Sequence, residues 1–327
     1  MKKITLFALL LCLTGGLLAQ DTVFNRYAMR LVRNYDDSFE LVNKNRYAEL
    51  YDLQSIPYLF VPYRHVRSIV TTNDYRHIQS KEFVFKTYNG QELTLAVDLA
   101  ESDEPTPFMI YIHGGGWQRG TKGANRSLSR YAAAKGGVTG VRISYTLSPQ
   151  LNSTVKLAIQ DVLDALKWVQ ENAEKLNINP NIFGFYGGSA GAHLAAMATF
   201  KTPGTRVFIG QSGIYDLQKA QITAATRNAE RIRYFGNLDP QFLYEVSPIN
   251  HISRGNLPAV FIYHGTADLT VEVEQSKLLA EKLKANGIQV LKFDLYPHYE
   301  HTLNSSNSDL QEKLLLDSFQ FIIDHLK

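Results

Sequence analysis

The chain has 327 residues, 34 Lys plus Arg against 31 Asp plus Glu, 45% hydrophobic residues and one cysteine. This composition excludes a disordered or collagen-like chain, and a formal charge of only +3, spread along the sequence, gives no electrostatic reason to expect a nucleic-acid partner. A lone cysteine excludes an internal disulfide and a Cys-rich metal knuckle, and the length suits one large α/β domain with insertions, or at most two smaller ones.

The chain opens on Lys2-Lys3, an apolar run from Ile4 to Leu13, then Gly15-Gly16 and Ala19. This is the layout of a secretory signal peptide over residues 1–19, too short to span a bilayer stably. Cleavage after Ala19 would remove Cys12, leaving no thiol and so no cysteine nucleophile. Leu11 stands where a lipoprotein signal wants a small residue, which argues against lipid attachment at Cys12. No later run approaches about 18 apolar residues, so the mature protein is expected to be soluble and exported, periplasmic or secreted.

Residues 20–80 are rich in Tyr, Arg and Asn with poor alternation, and read as an N-terminal extension of helical pieces and loops. From Lys81 the pattern changes. Glu82 to Lys86 and Leu93 to Val97 flank Asn89-Gly90, a strong hairpin signal. Phe108-Met109-Ile110-Tyr111-Ile112 reads as a strand buried on both faces, and similar runs recur at Gly140 to Tyr145, Ile182 to Tyr186, Val207 to Ile209, Ala259 to Tyr263 and Leu291 to Leu295. Helical periodicity separates them at Leu128 to Lys135, Val155 to Leu176 with Ser153 as a suitable N-cap, Ala190 to Thr199, Val273 to Asn286 and Leu310 to His325. The alternation predicts an α/β fold: a mostly parallel sheet with helices on both faces and an antiparallel N-terminal hairpin. From Leu217 to Ile252 no strand-like run appears, which predicts a helical insertion between two strands, placed where a lid would sit.

Two motifs carry chemistry. Gly187-Gly188-Ser189-Ala190-Gly191 follows a predicted strand and opens a predicted helix, the context in which G-x-S-x-G projects a serine hydroxyl from a sharp turn. The helix N-terminus beneath Ser189 offers unpaired N–H groups to a developing anion. His113-Gly114-Gly115-Gly116-Trp117 follows the buried strand, and three successive glycines are a conformational cost unless backbone must approach a ligand. Such a loop supplies the second half of an oxyanion hole, here the N–H groups of Gly115 and Gly116 with that of Ala190. His113 reads as a residue orienting this loop rather than as a base.

These motifs, together with Ser144 to Pro149, Ser212-Gly213-Ile214-Tyr215-Asp216 and His264-Gly265-Thr266-Ala267-Asp268, resemble the α/β-hydrolase superfamily over about residues 80–327. More narrowly, the chain is similar to esterases of the hormone-sensitive-lipase group and of the bacterial feruloyl and acetyl esterase groups. Gly188 and Ala192, where hormone-sensitive-lipase relatives carry an acidic residue and a further glycine, place it nearer the feruloyl and acetyl esterases. The resemblance implies an α/β-hydrolase domain over 81–327 and a serine triad in the chain order Ser, acid, His. Asp268 takes the position of the acid, with Asp216 and Asp161 as rivals; Asp216 reads as a loop-stabilising carboxylate and Asp161 as structural. His301 takes the position of the base, with His298 as its rival at the mouth of the pocket; Tyr299 and Glu300 depart from the small residues usual there. No metal or organic cofactor is expected, and His77, His251 and His264 read as structural or surface histidines. The expected substrate is a small or polysaccharide-linked ester, with acetyl or feruloyl groups on plant polysaccharide indicated by motif type and export. A prolyl-oligopeptidase-type peptidase shares the fold, but the triple glycine belongs to esterases and no propeller-length region precedes the domain. A non-catalytic binding protein on this scaffold would normally lack part of the triad.

Overall fold

The computed structural model of the chain describes residue 75 and residues 77–148, 153–219, 229–253, 258–288, 290–303 and 308–327, with the backbone of three strands between 29 and 60. The expected signal peptide and Cys12 lie outside the described residues. Residues 1–58 and 59–327 form two units. In the first, β1 (Met29–Arg33) pairs antiparallel with β2 (Phe39–Asn43), Leu31 opposite Leu41. Within the segment expected to hold helical pieces and loops, the described residues are thus strands at 29–33, 39–43 and 59–60 and turn or loop at 75 and 77–79. Short runs such as Arg30-Leu31-Val32 are too brief to display a period, and their pairing comes from a partner strand rather than from local propensity.

The second unit is built on a nine-stranded sheet. Its strands are β3 (Leu59–Phe60), β4 (Ser80–Tyr88), β5 (Gln91–Asp98), β6 (Thr106–Ile112), β7 (Thr139–Ile143), β8 (Ile178–Gly188), β9 (Val207–Gln211), β10 (Ala259–Gly265) and β11 (Val290–Tyr296), in the spatial order β3-β11-β10-β9-β8-β6-β7-β5-β4. Asn89 and Gly90, with φ of 47° and 78°, form the turn of the antiparallel β4–β5 hairpin. β5 also pairs antiparallel with β7; all other pairings are parallel.

Among the described residues the helices are α1 (Arg126–Gly136), α2 (Val155–Glu171), α3 (Ala173–Leu176), α4 (Ala190–Lys201), α5 (Ala229–Tyr234), α6 (Pro240–Glu245), α7 (Glu274–Ala285) and α8 (Ser308–Leu326). Val155 to Leu176, expected as one helix, divides at Asn172. The backbone N–H of Asn172 bonds to Trp168 O and Val169 O and its side-chain amide donates to Trp168 O, closing the last turn of α2. Thr154, not Ser153, occupies the N-cap position, and the Ser153 hydroxyl donates instead to Leu147 O at 3.2 Å.

Alternation along β6 divides the core into two. Phe108, Ile110 and Ile112 pack with Val162, Leu166, Leu194, Leu279 and other residues of α2, α4 and α7. Met109 and Tyr111 pack with Leu128 of α1 and Leu314 and Ile322 of α8. Helices therefore cover both faces of the sheet. Each such side chain, removed from water, contributes roughly 1.5–3 kcal/mol before entropy is counted. Between β9 and β10, the described part of the expected insertion holds α5, α6 and two short 3₁₀ turns, Gly236–Leu238 and Pro248–Asn250.

β6 is hydrogen-bonded to β7 on one side and β8 on the other, so the chain reverses its direction of travel across the sheet there. Ile112 at the end of β6 stands opposite Gly187 near the end of β8. The glycine loop and the serine turn consequently emerge side by side, where open α/β sheets bind ligands.

Candidate active site

Ser189 sits between β8 and α4 with φ 55° and ψ −123°, a region L-residues adopt only when the surroundings demand it. The backbone bonds Ser189 N–H to Gln211 O at 2.8 Å and Ala192 N–H to Ser189 O at 2.9 Å hold the turn. Gly191 permits it: a Cβ there would stand 2.2 Å from Ile112 O, so no side chain fits between α4 and β6. Ala190 is the first residue of α4 and fully buried, and its N–H belongs to the turn that lacks intrahelical acceptors.

The glycine loop carries positive φ at Gly115, Gly116 and Trp117, of 112°, 61° and 57°. Gly115 O accepts from the N–H groups of Gln118 and Arg119, both at 3.2 Å, which turns the loop back on itself. His113 lies beneath it: Nδ1 donates to Gly114 O at 2.7 Å, and the ring stacks on Tyr145 at 4.4 Å while the Tyr145 hydroxyl donates to His113 O. Burial pushes the His113 pKa down, consistent with a neutral ring in an orienting role.

The loops after β10 and β11 are laced together. Thr266 N–H bonds to Tyr296 O, Ala267 N–H to Tyr299 O, and His298 N–H to Thr266 Oγ1. Tyr299 turns its ring onto Tyr296, leaving Glu300 exposed. In this arrangement His301 Nδ1 is 2.7 Å from Asp268 Oδ2, and His301 Nε2 is 2.8 Å from Ser189 Oγ. Nδ1–H donates to the carboxylate, so Nε2 accepts the serine proton. A hydroxyl, an imidazole and a buried carboxylate in one hydrogen-bonded chain can generate a serine alkoxide.

Asp268 is 1% exposed. Its Oδ1 accepts from Thr270 N–H and Val271 N–H, both at 2.8 Å, and its Oδ2 from His301 and, at 3.0 Å, from His264 Nε2. Burial opposes its ionisation, but the bonds from His264 and His301 outweigh that and hold the carboxyl well below the usual carboxylate range. The rivals are elsewhere. Asp161 accepts from Lys86 Nζ at 2.6 Å and Thr146 N–H at 2.8 Å; Asp216 closes a turn with the N–H groups of Gln218 and Lys219. His298, expected at the pocket mouth, is not among the residues that line the cavity; its loop, with φ 65° at His298, is turned toward Thr266.

Ser189 and His301 open onto a cavity of about 860 Å³. Gly115 and Gly116 line it, together with Gln118, Arg119, Asn125, Gln211, Glu272 and Gln275. Of the described residues of the expected insertion, Leu217 alone lines it; its walls come from the loops at the strand ends. Nothing in the sequence marked Gln211, at the end of β9, or Glu272 and Gln275, at the start of α7, and they share no motif.

The insertion reaches the site indirectly. Trp117 packs edge-on against Phe235 and donates from Nε1 to Nδ1 of fully buried His193, whose Nε2 donates to Val246 O at 2.8 Å. Burial pushes the His193 pKa down to about 4. Its folded value thus lies below the unfolded one, so the unfolded chain binds the extra proton first. Stability should fall by about 3 kcal/mol as pH drops from about 6.5 through 4. Urea unfolding at pH 7 and pH 4 should show a smaller loss for His193→Gln, which keeps a donor and an acceptor but cannot titrate. Equal losses in the two proteins would contradict this account.

The BD-FAE family profile matches residues 97–283, more than half of the chain. The chain belongs to the BD-FAE family. This BD-FAE protein is 29% identical to Esterase LipC of Mycobacterium tuberculosis over 56% of its own length and 49% of that protein's. It is 29% identical to the probable carboxylic ester hydrolase LipM of the same organism, over 61% and 49%. The chain spans about half the length of these curated relatives. The apo form of Thermogutta terrifontis esterase 2 superposes with a TM-score of 0.63 at 25% identity, covering 76% of this chain and 95% of that one. The BD-FAE chain therefore has the α/β-hydrolase fold.

Proposed function

We propose that this protein is an exported serine carboxylic-ester hydrolase acting through Ser189, His301 and Asp268. The observation that carries this reading is the unbroken hydrogen-bonded chain from Ser189 Oγ through His301 to Asp268 Oδ2 at the floor of a cavity. Relatives named as esterases support it.

Ser189 Oγ attacks the ester carbonyl carbon while His301 Nε2 takes the hydroxyl proton, and Asp268 holds the resulting imidazolium. The N–H groups of Gly115, Gly116 and Ala190 receive the oxyanion. The carbonyl–alkoxy bond breaks, and the leaving alcohol takes the proton from His301. Water then attacks the acyl-enzyme, giving its proton to His301, and the carboxylic acid departs as the proton returns to Ser189. Acetyl or feruloyl esters of polysaccharide are the proposed substrates, on the grounds of motif type and the export pattern. Export rests on the signal-peptide pattern of residues 1–19.

A serine-directed fluorophosphonate should label the protein on the peptide containing Ser189 and abolish hydrolysis of p-nitrophenyl butyrate. Labelling elsewhere, or none, overturns the reaction class. Acetylated xylan or methyl ferulate should give a higher kcat/KM than p-nitrophenyl butyrate; the reverse order removes the polysaccharide assignment. The exported protein should begin at Gln20, and a chain retained with Met1 would refute export.

A further inference from the structure

His264 is the penultimate residue of β10 and is fully buried, four residues before Asp268. Its Nε2 lies 3.0 Å from both Asp268 Oδ2 and the Val271 carbonyl, and its Nδ1 lies 2.7 Å from Ser276 Oγ on α7. A carbonyl only accepts, so Nε2 carries a proton shared between Val271 O and the carboxylate. In the neutral ring, Nδ1 then accepts from the Ser276 hydroxyl, which sets the tautomer from behind.

The carboxylate of Asp268 can turn about its Cβ–Cγ bond, and that rotation would swing Oδ2 away from His301. The N–H groups of Thr270 and Val271 tether Oδ1 on one side. On the other side, His264 and His301 approach Oδ2 from two directions, which leaves His301 a fixed acceptor to aim at. We infer that His264, set by Ser276, is a positioning residue that fixes the orientation of Asp268 and, through it, the ring of His301. The inference rests on the reading of Ser189, His301 and Asp268 as the triad. His264 touches no reacting atom, so its effect belongs in kcat and not in substrate affinity.

The test uses the full chain with p-nitrophenyl butyrate, thermal melts, and the low-field proton resonance of His301 Nδ1–H. His264→Phe keeps the ring shape and loses the donor; His264→Gln keeps a donor at the position of Nε2. His264→Phe should lower kcat by about 10- to 100-fold, the range for one hydrogen bond to a charged group, with KM unchanged and the resonance moved. His264→Gln should recover most of that kcat. Wild-type kcat and resonance in His264→Phe overturn the inference, as does equal impairment of both variants with the resonance in place, which is the signature of packing alone. If His264→Phe does not fold, Ser276→Ala decides: a moved resonance and lower kcat support the inference, and wild-type behaviour of both overturns it. Ser189→Ala serves as the control, since wild-type turnover by that variant would defeat the triad reading itself, whatever His264 does.

Discussion

Replacing Ser189 with alanine should lower kcat by about 10⁶-fold, the loss typical of removing the nucleophile from a serine triad, while leaving the fold intact. The change deletes one oxygen. The strained turn at φ 55° is held by backbone bonds from Ser189 N–H to Gln211 O and from Ala192 N–H to Ser189 O, neither of which uses the hydroxyl. Alanine carries the same Cβ into the same conformation, so the turn meets no new strain. The residual rate should come from the glycine loop and substrate binding, which act without the nucleophile. Hydrolysis of p-nitrophenyl butyrate, read beside the melting temperature, checks both halves. A variant that melts normally and still turns over at the wild-type rate would place the nucleophile elsewhere.

Asp268→Asn should cost about 10⁴-fold in kcat with little change in KM, and the cause is a tautomer rather than a cavity. Among the described residues the carboxylate accepts from the N–H groups of Thr270, Val271, His264 and His301. An asparagine has one accepting oxygen. If that oxygen keeps the two backbone N–H groups, the amide NH₂ faces His301 Nδ1, which must then give up its proton and accept. The proton moves to Nε2, where it points at Ser189 Oγ and blocks removal of the hydroxyl proton. Stability should also lose the share of its acid-side dependence that Asp268 contributes. The carboxyl is held below its ordinary value, so its contribution is complete above about pH 4 and is lost as pH falls through the depressed folded value. Rates at neutral pH and unfolding curves taken below pH 4 check the two effects. A variant with wild-type kcat would exclude Asp268 as the partner of His301.

Much of the site was legible because its parts are contiguous. Gly187 to Gly191 and His113 to Trp117 each encode a backbone shape within five residues, and such shapes can be read from glycine placement alone. Likewise Phe108 to Ile112 announced a strand buried on both faces, and β6 indeed shares its residues between two cores. The partners of Asp268 were less legible. The spacing of His264 and Asp268 is visible, but its meaning depends on Ser276, which arrives from α7 and has no motif of its own. The cavity wall is equally silent, because Gln211 ends β9 while Glu272 and Gln275 stand about sixty residues on at the start of α7, and local sequence cannot place the two segments next to one another.

By itself, the sequence determined the α/β alternation, the hairpin at Asn89-Gly90, and the backbone turns that present Ser189 and the glycine loop, all set by local period and local steric freedom. Only the tertiary structure decided that His301 rather than His298 reaches Ser189, that His264 holds the far side of Asp268, and that Trp117 and Val246 meet through His193. The first of these depends on the lacing of the loops after β10 and β11, which seats the His301 loop against Thr266 and Ala267. Hydrogen bonds between side chains far apart in sequence are made by packing, and packing is a property of the assembled sheet rather than of any segment within it.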